Sequence, residues 1–184
     1  MAANSSEDLR YPVGRYRAPD HISAQDRAGW IREIESLPGN LRRAIAGLDG
    51  RQLDTPYRPG GWTVRQVVHH YADSHMNSYL RFRWALTEDL TAIKTYDESK
   101  WAELPDARSA PPELSLALLD SLHARWVLLL RSLDDNEFAR KMRHPDWGEV
   151  TVEWLLGQYG WHSRHHVAQI NKLRERERWP SPPS

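Results

Sequence analysis

Two histidines one helical turn apart are the residues whose types and spacing most directly suggest chemistry. His162 and His166 lie four positions apart, so in a helix both side chains project from one face. Two neutral imidazoles in this arrangement can chelate one ion, and imidazole suits zinc, nickel, copper or iron. The zincin protease motif shares this spacing but requires Glu directly after the first His. Ser163 stands there instead, which excludes that class of protease.

A third histidine on a second segment could complete the site. His70 adjoins the apolar stripe of that segment, whereas its neighbour His69 shares a mostly polar face. Three neutral ligands leave open positions for water and substrate, as in catalytic rather than structural zinc sites. The alternative is that these are core histidines hydrogen-bonded to neighbouring helices, since a buried imidazole costs little free energy once it is paired. Spacing alone leaves both interpretations open.

Asp73 is the nearest acidic residue to this set, three positions after His70. As a weak catalytic candidate, it could orient a ligand imidazole through a hydrogen bond or act on a coordinated water. The competing expectation is a salt bridge with Arg65 or His69 on the exposed side of the helix. No Ser-His-Asp motif, glycine-rich phosphate loop or pair of catalytic carboxylates stands out, so the catalytic residues are otherwise unassigned.

The remaining histidines predict structural roles. His75 falls on the apolar stripe of its helix, where packing or support of a ligand is expected rather than ligation. His165 is expected at the edge of the seam or in solvent, because it lies about 100° around the helix from His166. His123 borders a leucine-rich face, and His144 precedes a proline in a predicted loop.

Four segments with helical periodicity must position these residues. The apolar spacing predicts helices over about 23–48, 63–87, 112–133 and 151–178. Pro38-Gly39 predicts a kink or a break in the first helix. Thr63 and Gln66 form a capping box at the start of the second helix, and Thr151 can cap the last.

The connections between these helices define the fold class. Residues 88–111 lack clear periodicity and form a long connection between helices 2 and 3, and residues 134–150 could hold a turn or a short hairpin. The expected fold is therefore all-α, an antiparallel four-helix bundle. We expect an extended arm over 1–22, the bundle over 23–178 and a flexible tail over 179–184.

Composition excludes several classes of function. In 184 residues, 25 Lys and Arg balance 25 Asp and Glu, which argues against a nucleic-acid partner. No apolar stretch approaches the length of a membrane span, and the polar start MAANSSEDLR lacks the apolar core of a secretory signal. We therefore expect a cytoplasmic protein. The absence of cysteine rules out disulfides, thiolate ligands and a cysteine nucleophile.

Several longer motifs resemble one known family. They are YPVGRY (11–16), the stretch LDTPYRPGGWTVRQVVHHYADSHMNSYLRF (53–82), YDESKW (96–101) and WHSRHHVAQI (161–170). Together they resemble the DinB-like superfamily and, within it, the YfiT branch, which is described as metal-dependent hydrolases and includes bacillithiol S-transferase. The resemblance extends from about Tyr11 to Leu173.

The resemblance implies a DinB-like four-helix bundle, usually a homodimer, with a divalent metal held by three histidines. The family's first ligand precedes a hydrophobic residue and Ala, which matches His70 in His70-Tyr71-Ala72. Its other two ligands match His162 and His166 in the pattern H-x-x-x-H-x-x-Q-I. Tyr71 replaces the more usual Leu, a change that we expect to leave ligation unaffected. The implied metal is Zn²⁺ or Ni²⁺.

Three activities follow from the resemblance. The first, which the resemblance favours, is S-transfer, in which a low-molecular-weight thiol such as bacillithiol ionises on the metal and attacks an electrophilic small molecule. The second is metal-dependent hydrolysis, with water at the same open position. The third is a metal-binding stress-response protein without turnover. The implied partners are a small-molecule substrate and a second copy of the chain, with no nucleic acid and no membrane.

Overall fold

Four long helices carry the fold in the computed structural model, which describes residues 9–180. They are α1 (Ala24–Ile45), α3 (Val64–Thr87), α6 (Pro112–Ser132) and α8 (Val152–Arg176). Shorter elements join them: α2 (Gly50–Leu53), α4 (Glu98–Ala102), α5 (Pro105–Ser109), α7 (Asp135–Phe138), β1 (Lys141–His144) and β2 (Gly148–Thr151). The predicted four-helix bundle is confirmed. The first eight residues of the predicted arm and the last four of the predicted tail lie outside the described residues.

The helix starts follow the capping signals in the sequence. At α3, the Gln66 backbone N–H donates to the Thr63 hydroxyl over 3.2 Å, and the Thr63 N–H donates to the Gln66 side chain over 2.9 Å. At α8, Thr151 accepts from the Trp154 N–H over 3.1 Å. Each cap satisfies backbone donors that have no partner within the helix. Both predicted caps are confirmed, and they set where the histidine-bearing helices begin.

The first helix runs through Pro38 without a break, so of the kink or break expected there the break does not occur. Proline has no N–H, and the carbonyl of Ile34 therefore lacks the helical partner that residue 38 would supply. His123 Nδ1, on α6, lies 2.6 Å from that oxygen and donates the missing hydrogen bond. A side chain from a distant helix thus replaces the bond that Pro38 removes.

The long connection between α3 and α6 is ordered, and it runs beside the hairpin. Ile93 N–H donates to the Arg143 carbonyl over 3.1 Å, and Arg143 N–H donates to the Thr91 carbonyl over 2.9 Å. The strands pair antiparallel, with Met142 opposite Val150, which confirms the hairpin suggested for this region. The connection also contains α4 and α5, so residues from this segment reach the mouth of the bundle.

Helix α8 packs on α1 through two glycines. A Cβ built on Gly160 would lie 2.8 Å from the Cβ of Trp30, and one built on Gly157 would lie 2.9 Å from the indole ring of Trp30. Glycine at both positions therefore allows the indole to approach the α8 backbone. The opposite face of α8 points towards α3. Within residues 9–180, no helix is long and apolar enough to cross a bilayer.

Candidate metal centre

Three histidines from two helices converge between α3 and α8. One ring nitrogen from each of His70, His162 and His166 lies within 4.8 Å of the others. His70 Nε2 is 3.3 Å from His162 Nε2. These are the residues that spacing and family resemblance predicted as ligands, and the fold brings all three together.

Burial keeps these rings neutral near pH 7. The pKa values of His70 and His162 lie well below that of a free histidine, first because desolvation penalises the charged ring and then because the other histidines repel it. Desolvation likewise lowers the pKa of His166 to about 4, although the hydrogen bond to Gln169 opposes the shift. A neutral ring has one unprotonated nitrogen, which is the form that binds metals.

The protonated nitrogen of His166 is set by Gln169. His166 Nδ1 lies 2.7 Å from Gln169 Oε1, and a carbonyl oxygen can only accept, so Nδ1 carries the proton and Nε2 keeps its lone pair. The amide nitrogen of Gln169 donates to the Arg10 carbonyl over 2.7 Å. One side chain therefore orients a ligand and ties the N-terminal arm to α8. The His-x-x-Gln spacing is its signal in the sequence.

His162 is oriented by another histidine. Its Nδ1 lies 3.0 Å from Nε2 of His75, and His75 is fully buried. The sequence predicted that His75 would pack or support a ligand rather than bind the metal, and this contact fits the supporting role. In both rings from α8, Nδ1 makes a hydrogen bond outside the three-histidine set, and Nε2 of His162 lies against the ring of His70.

Tyr71 contacts the α8 backbone at both ligand positions, at His162 and Ser163 and just after His166. Its hydroxyl accepts from the Val167 N–H over 3.0 Å and lies 3.1 Å from the carbonyls of His162 and Ser163. In a regular helix the Val167 N–H bonds to the Ser163 carbonyl. The Tyr71 hydroxyl contacts both of these groups. A leucine could make none of these contacts. Tyr71 therefore does more than fill the hydrophobic position of the motif.

A cavity of about 490 Å³ opens over the three histidines. Aromatic and cationic side chains line it, including Trp62, Trp161, Arg10 and Arg58. The Trp62 ring lies 4.6 Å from the ring of His70. Glu98, at the start of α4, brings a carboxyl group to the same wall, and desolvation raises its pKa. The site therefore has a nitrogen-lined floor and aromatic walls, a size and character usual for small-molecule pockets.

Asp73 lies elsewhere. It does not occur among the described residues that line this cavity, and burial followed by repulsion from Asp106 raises its pKa to about 6. The expected salt bridges are wrong, because Arg65 pairs with Asp54 at 2.7 Å and His69 contacts Ser115 at 2.7 Å. Glu98, which sequence reasoning did not single out, is the carboxylate at the cavity instead.

The loop position expected for His144 is wrong, and of the two positions expected for His165 the one in solvent is excluded. His165 is 5% exposed and stacks on Trp161 at 4.4 Å between ring centroids, so it does not lie in solvent. His144 ends β1 rather than lying in a loop, and it is buried against Trp147 with ring centroids 3.9 Å apart. The covering rings are near in the chain, since Trp161 lies one turn before His165 on α8 and Trp147 lies three residues after His144.

The sequence matches a known family over most of its length. A profile of the DinB superfamily matches residues 33–170, about three quarters of the chain. The chain belongs to the DinB superfamily. YfiT from Bacillus subtilis is 52% identical over 176 residues, which cover 95% of this chain and 99% of YfiT. The predicted resemblance to the superfamily and to its YfiT branch is confirmed.

Other DinB relatives and a solved structure agree. Proteins from Bacillus mycoides (strain KBAB4) and Bacillus cereus (strain ZK / E33L) are 54% and 55% identical over 173 and 172 residues, in each case 94% of this chain and 99% of the relative. Both, like YfiT, are named for an inferred metal-dependent hydrolase activity. The structure of YfiT superposes with a TM-score of 0.91 at 51% identity, covering 94% of this chain and 99% of YfiT. It is described as "a probable metal-dependent hydrolase with an unusual four-helix bundle topology".

Proposed function

We propose that this protein is a metal-dependent hydrolase that holds a divalent cation, Zn²⁺ or Ni²⁺, on His70, His162 and His166. The observation that carries the proposal is the convergence of three neutral imidazoles from α3 and α8 within 4.8 Å. Neutral nitrogen donors suit both metals. They also leave the full charge of the cation available to polarise what binds next to it.

The spacing of two of the three nitrogens, those of His70 and His162, fits such an ion. Two unprotonated imidazole nitrogens repel one another unless a proton or a cation lies between them. Nitrogens each about 2.0–2.1 Å from a tetrahedral zinc lie about 3.3–3.4 Å apart, and His70 Nε2 and His162 Nε2 are 3.3 Å apart. The Nδ1 hydrogen bonds of His162 and His166 direct both Nε2 lone pairs to the shared site.

The cation, when bound, acts as a Lewis acid that lowers the pKa of a coordinated water or thiol. The side chains around it do the rest. Trp62 and Trp161 supply apolar walls beside the floor of the cavity. Glu98 lines the same cavity, and its raised pKa suits its carboxylate to accept a proton from the nucleophile. Asp73 does not face the cavity, so we do not retain it as the base.

Hydrolysis comes first because the named relatives, which match nearly the whole chain, are described by that activity. The resemblance alone favoured thiol transfer, and that remains the second candidate. The observation that supports it is the wall of the cavity, where Arg10 and Arg58 accompany two tryptophans. These side chains provide charge and apolar area for an anionic thiol cosubstrate as well as for a substrate. The third reading, a metal-binding protein without turnover, is an outcome of the assays below.

Metal analysis tests the site. Wild-type protein and a His166→Ala variant should be loaded with Zn²⁺ or Ni²⁺, desalted and measured by elemental analysis. We expect about one ion per chain in the wild type and a large loss in the variant. A His21→Ala variant, which removes an exposed histidine, is the matched control and should retain its metal. Equal metal content in wild type and His166→Ala would refute the proposed site.

Turnover assays separate the candidates. The metal-loaded protein should be offered a panel of esters and amides without thiol, and an electrophile such as monochlorobimane with each candidate low-molecular-weight thiol. Hydrolysis that chelation abolishes supports the first candidate. Metal-dependent conjugation with one thiol supports the second. Bound metal with no turnover in either assay would favour the non-catalytic reading.

A further inference from the structure

A line of hydrogen-bonded histidines leads from the proposed site into the core. His162 Nδ1 lies 3.0 Å from His75 Nε2, and His75 Nδ1 lies 3.0 Å from His123 Nε2. His123 Nδ1 in turn lies 2.6 Å from the carbonyl oxygen of Ile34. The four residues belong to α8, α3, α6 and α1, so the line crosses every long helix of the bundle.

The last contact sets the direction of every hydrogen bond in the line. A carbonyl oxygen can only accept, so His123 must carry its proton on Nδ1. Desolvation lowers the pKa of His123 to about 4, and the neutral ring therefore offers an unprotonated Nε2. His75 must then donate from Nδ1 to that nitrogen, which leaves its own Nε2 as the acceptor for the Nδ1 proton of His162.

The surroundings of His75 favour a single proton on that ring. It is 0% exposed, and besides the two histidines its ring contacts are aromatic: Tyr71, Trp126 and Tyr159, with centroids 5.1–5.7 Å away. A cationic imidazole there would be buried without an acidic partner, which is costly. The arrangement is therefore consistent only when His75 and His123 each donate once and accept once, and His162 donates from Nδ1.

Pro38 supplies the acceptor at the end of the line. In an uninterrupted helix the Ile34 carbonyl would accept from the N–H of residue 38, but proline has none. The free carbonyl is buried in the face that α1 turns towards α6, where His123 is 2% exposed. Because a buried carbonyl without a partner costs free energy, the contact with His123 is stabilising.

We propose that His75 and His123 are positioning residues. Through these two rings, the Ile34 carbonyl that Pro38 leaves free fixes the proton of His162 on Nδ1, and Nε2 of His162 is then free to bind the cation. This inference rests on the proposed metal site. Gln169 does the same for His166 with one amide on the same helix. The His162 line needs two further rings, because its acceptor lies in the core, on α1.

The protonation pattern can be read without any metal. Long-range ¹H–¹⁵N correlation spectra of the metal-free protein report which nitrogen of each histidine carries the proton. We expect His123, His75 and His162 all to be protonated on Nδ1. A proton on Nε2 of His162 would overturn the inference while leaving the three-histidine site itself standing.

Metal affinity tests the purpose of the line. Zn²⁺ should be titrated against a chromophoric chelator in three variants. We expect His123→Leu to weaken binding about 10–100-fold, the usual effect of removing a group that orients a ligand. His123→Gln should recover most of the affinity, since its amide can donate to the Ile34 carbonyl and accept from His75.

His69→Leu is the matched control, because it removes a buried histidine of α3 that contacts Ser115 on α6 and lies outside the line. It should bind Zn²⁺ within about twofold of the wild type. Unchanged affinity in His123→Leu would overturn the inference. If that variant does not fold, the spectrum of the wild type and the affinity of His123→Gln still decide. If His162 is protonated on Nδ1 but the wild type takes up no zinc, the proposed function is refuted. The role of His75 and His123 in orienting a metal ligand is then refuted as well.

Discussion

The two imidazoles that α8 contributes to the site are oriented in different ways. His166 is held by Gln169, three residues along the same helix and beside the mouth of the cavity. His162 is held through His75 and His123 by the backbone of α1. The first arrangement needs only that α8 forms, whereas the second needs all four long helices to pack correctly. The site therefore depends on local structure at one ligand and on the whole bundle at the other.

The environments of the two orienting systems also differ. Gln169 is tied to the N-terminal arm through the Arg10 carbonyl, so disturbing it should affect the mouth of the cavity. His75 and His123 lie among aromatic rings, with Trp126 in contact with both. Substituting either histidine should therefore affect the packing of the core. Four predictions test this comparison, from the largest expected effect to the smallest.

Acid should destabilise the metal-free protein through the buried rings. The pKa of His123 falls from 6.5 to about 4 on folding, and that of His165 to about 3. The unfolded chain therefore binds more protons than the folded one between these values, so stability is lost as the pH drops from 6.5 towards 4. At about 1.4 kcal/mol per unit, His123 alone accounts for about 3 kcal/mol.

Urea unfolding of the metal-free protein at pH 7 and at pH 5 measures the part of this loss that occurs above pH 5, about 2 kcal/mol for His123. His123→Gln should show a smaller difference between the two pH values than the wild type, because it lacks one of the buried rings. His21→Gln, at an exposed position, should show the wild-type difference. A free energy of unfolding that is equal at both pH values would contradict the prediction.

Gly160→Ala should disturb the face of α8 that lies opposite both ligands. The new methyl group would lie 2.8 Å from Trp30 Cβ, and overpacking of this kind costs about 1–3 kcal/mol. Gly29→Ala is the control, since its nearest neighbour is 3.9 Å away, at the end of the Arg32 side chain. There the helix propensity of alanine should raise stability by up to about 1 kcal/mol. The melting temperatures of both variants test this prediction. Equal changes in the two variants would show that the close approach of Trp30 to α8 is unimportant.

Gln169→Leu should weaken Zn²⁺ binding about 10–100-fold, because His166 loses the acceptor that fixes its proton on Nδ1. Gln169→Glu keeps that acceptor but loses the donor to the Arg10 carbonyl. It should therefore retain most of the affinity while freeing the arm. Chelator competition measures binding, and proteolysis near Arg10 measures the arm. Equal zinc affinity in the Leu and Glu variants would contradict the role assigned to this side chain.

Tyr71→Phe should have the smallest effect, about 1 kcal/mol of stability. It removes the hydroxyl that accepts from the Val167 N–H and contacts the carbonyl of His162. Denaturant unfolding would measure the loss in the metal-free protein. Since neither orienting hydrogen bond involves Tyr71, zinc affinity should change less than in Gln169→Leu. A larger loss of affinity would show that the α8 backbone, rather than Gln169, controls the spacing of the two rings.

Features that depend on neighbouring residues were predictable. The caps at Thr63 and Thr151, the ends of α3 within one turn, and the i, i+4 placement of His162 and His166 all follow from helical geometry. His70 was chosen over His69 because the two positions lie about 100° apart on the helix and only one adjoins the apolar stripe. These signals lie within one or two turns of the chain.

Features that depend on distant segments were not predictable. Pro38 indicated a kink or a break, and nothing near it in sequence shows that His123 will bond the freed carbonyl. Asp73 was paired with the wrong neighbours, since Arg65 turns to Asp54 instead. Glu98 lies in a segment without periodicity, and only the path of that connection brings its carboxylate to the cavity.

The sequence by itself determined the helices, the family and the three histidines that converge, because periodicity, capping and motif spacing are local properties. Only the tertiary structure decided which nitrogen of each imidazole is free, which carboxylate faces the cavity and what Pro38 does for the site. Each of these depends on hydrogen bonds between helices far apart in the chain, such as that from His123 to Ile34. A neutral imidazole takes its donor and acceptor roles from its partners, and those partners exist only once the bundle has packed.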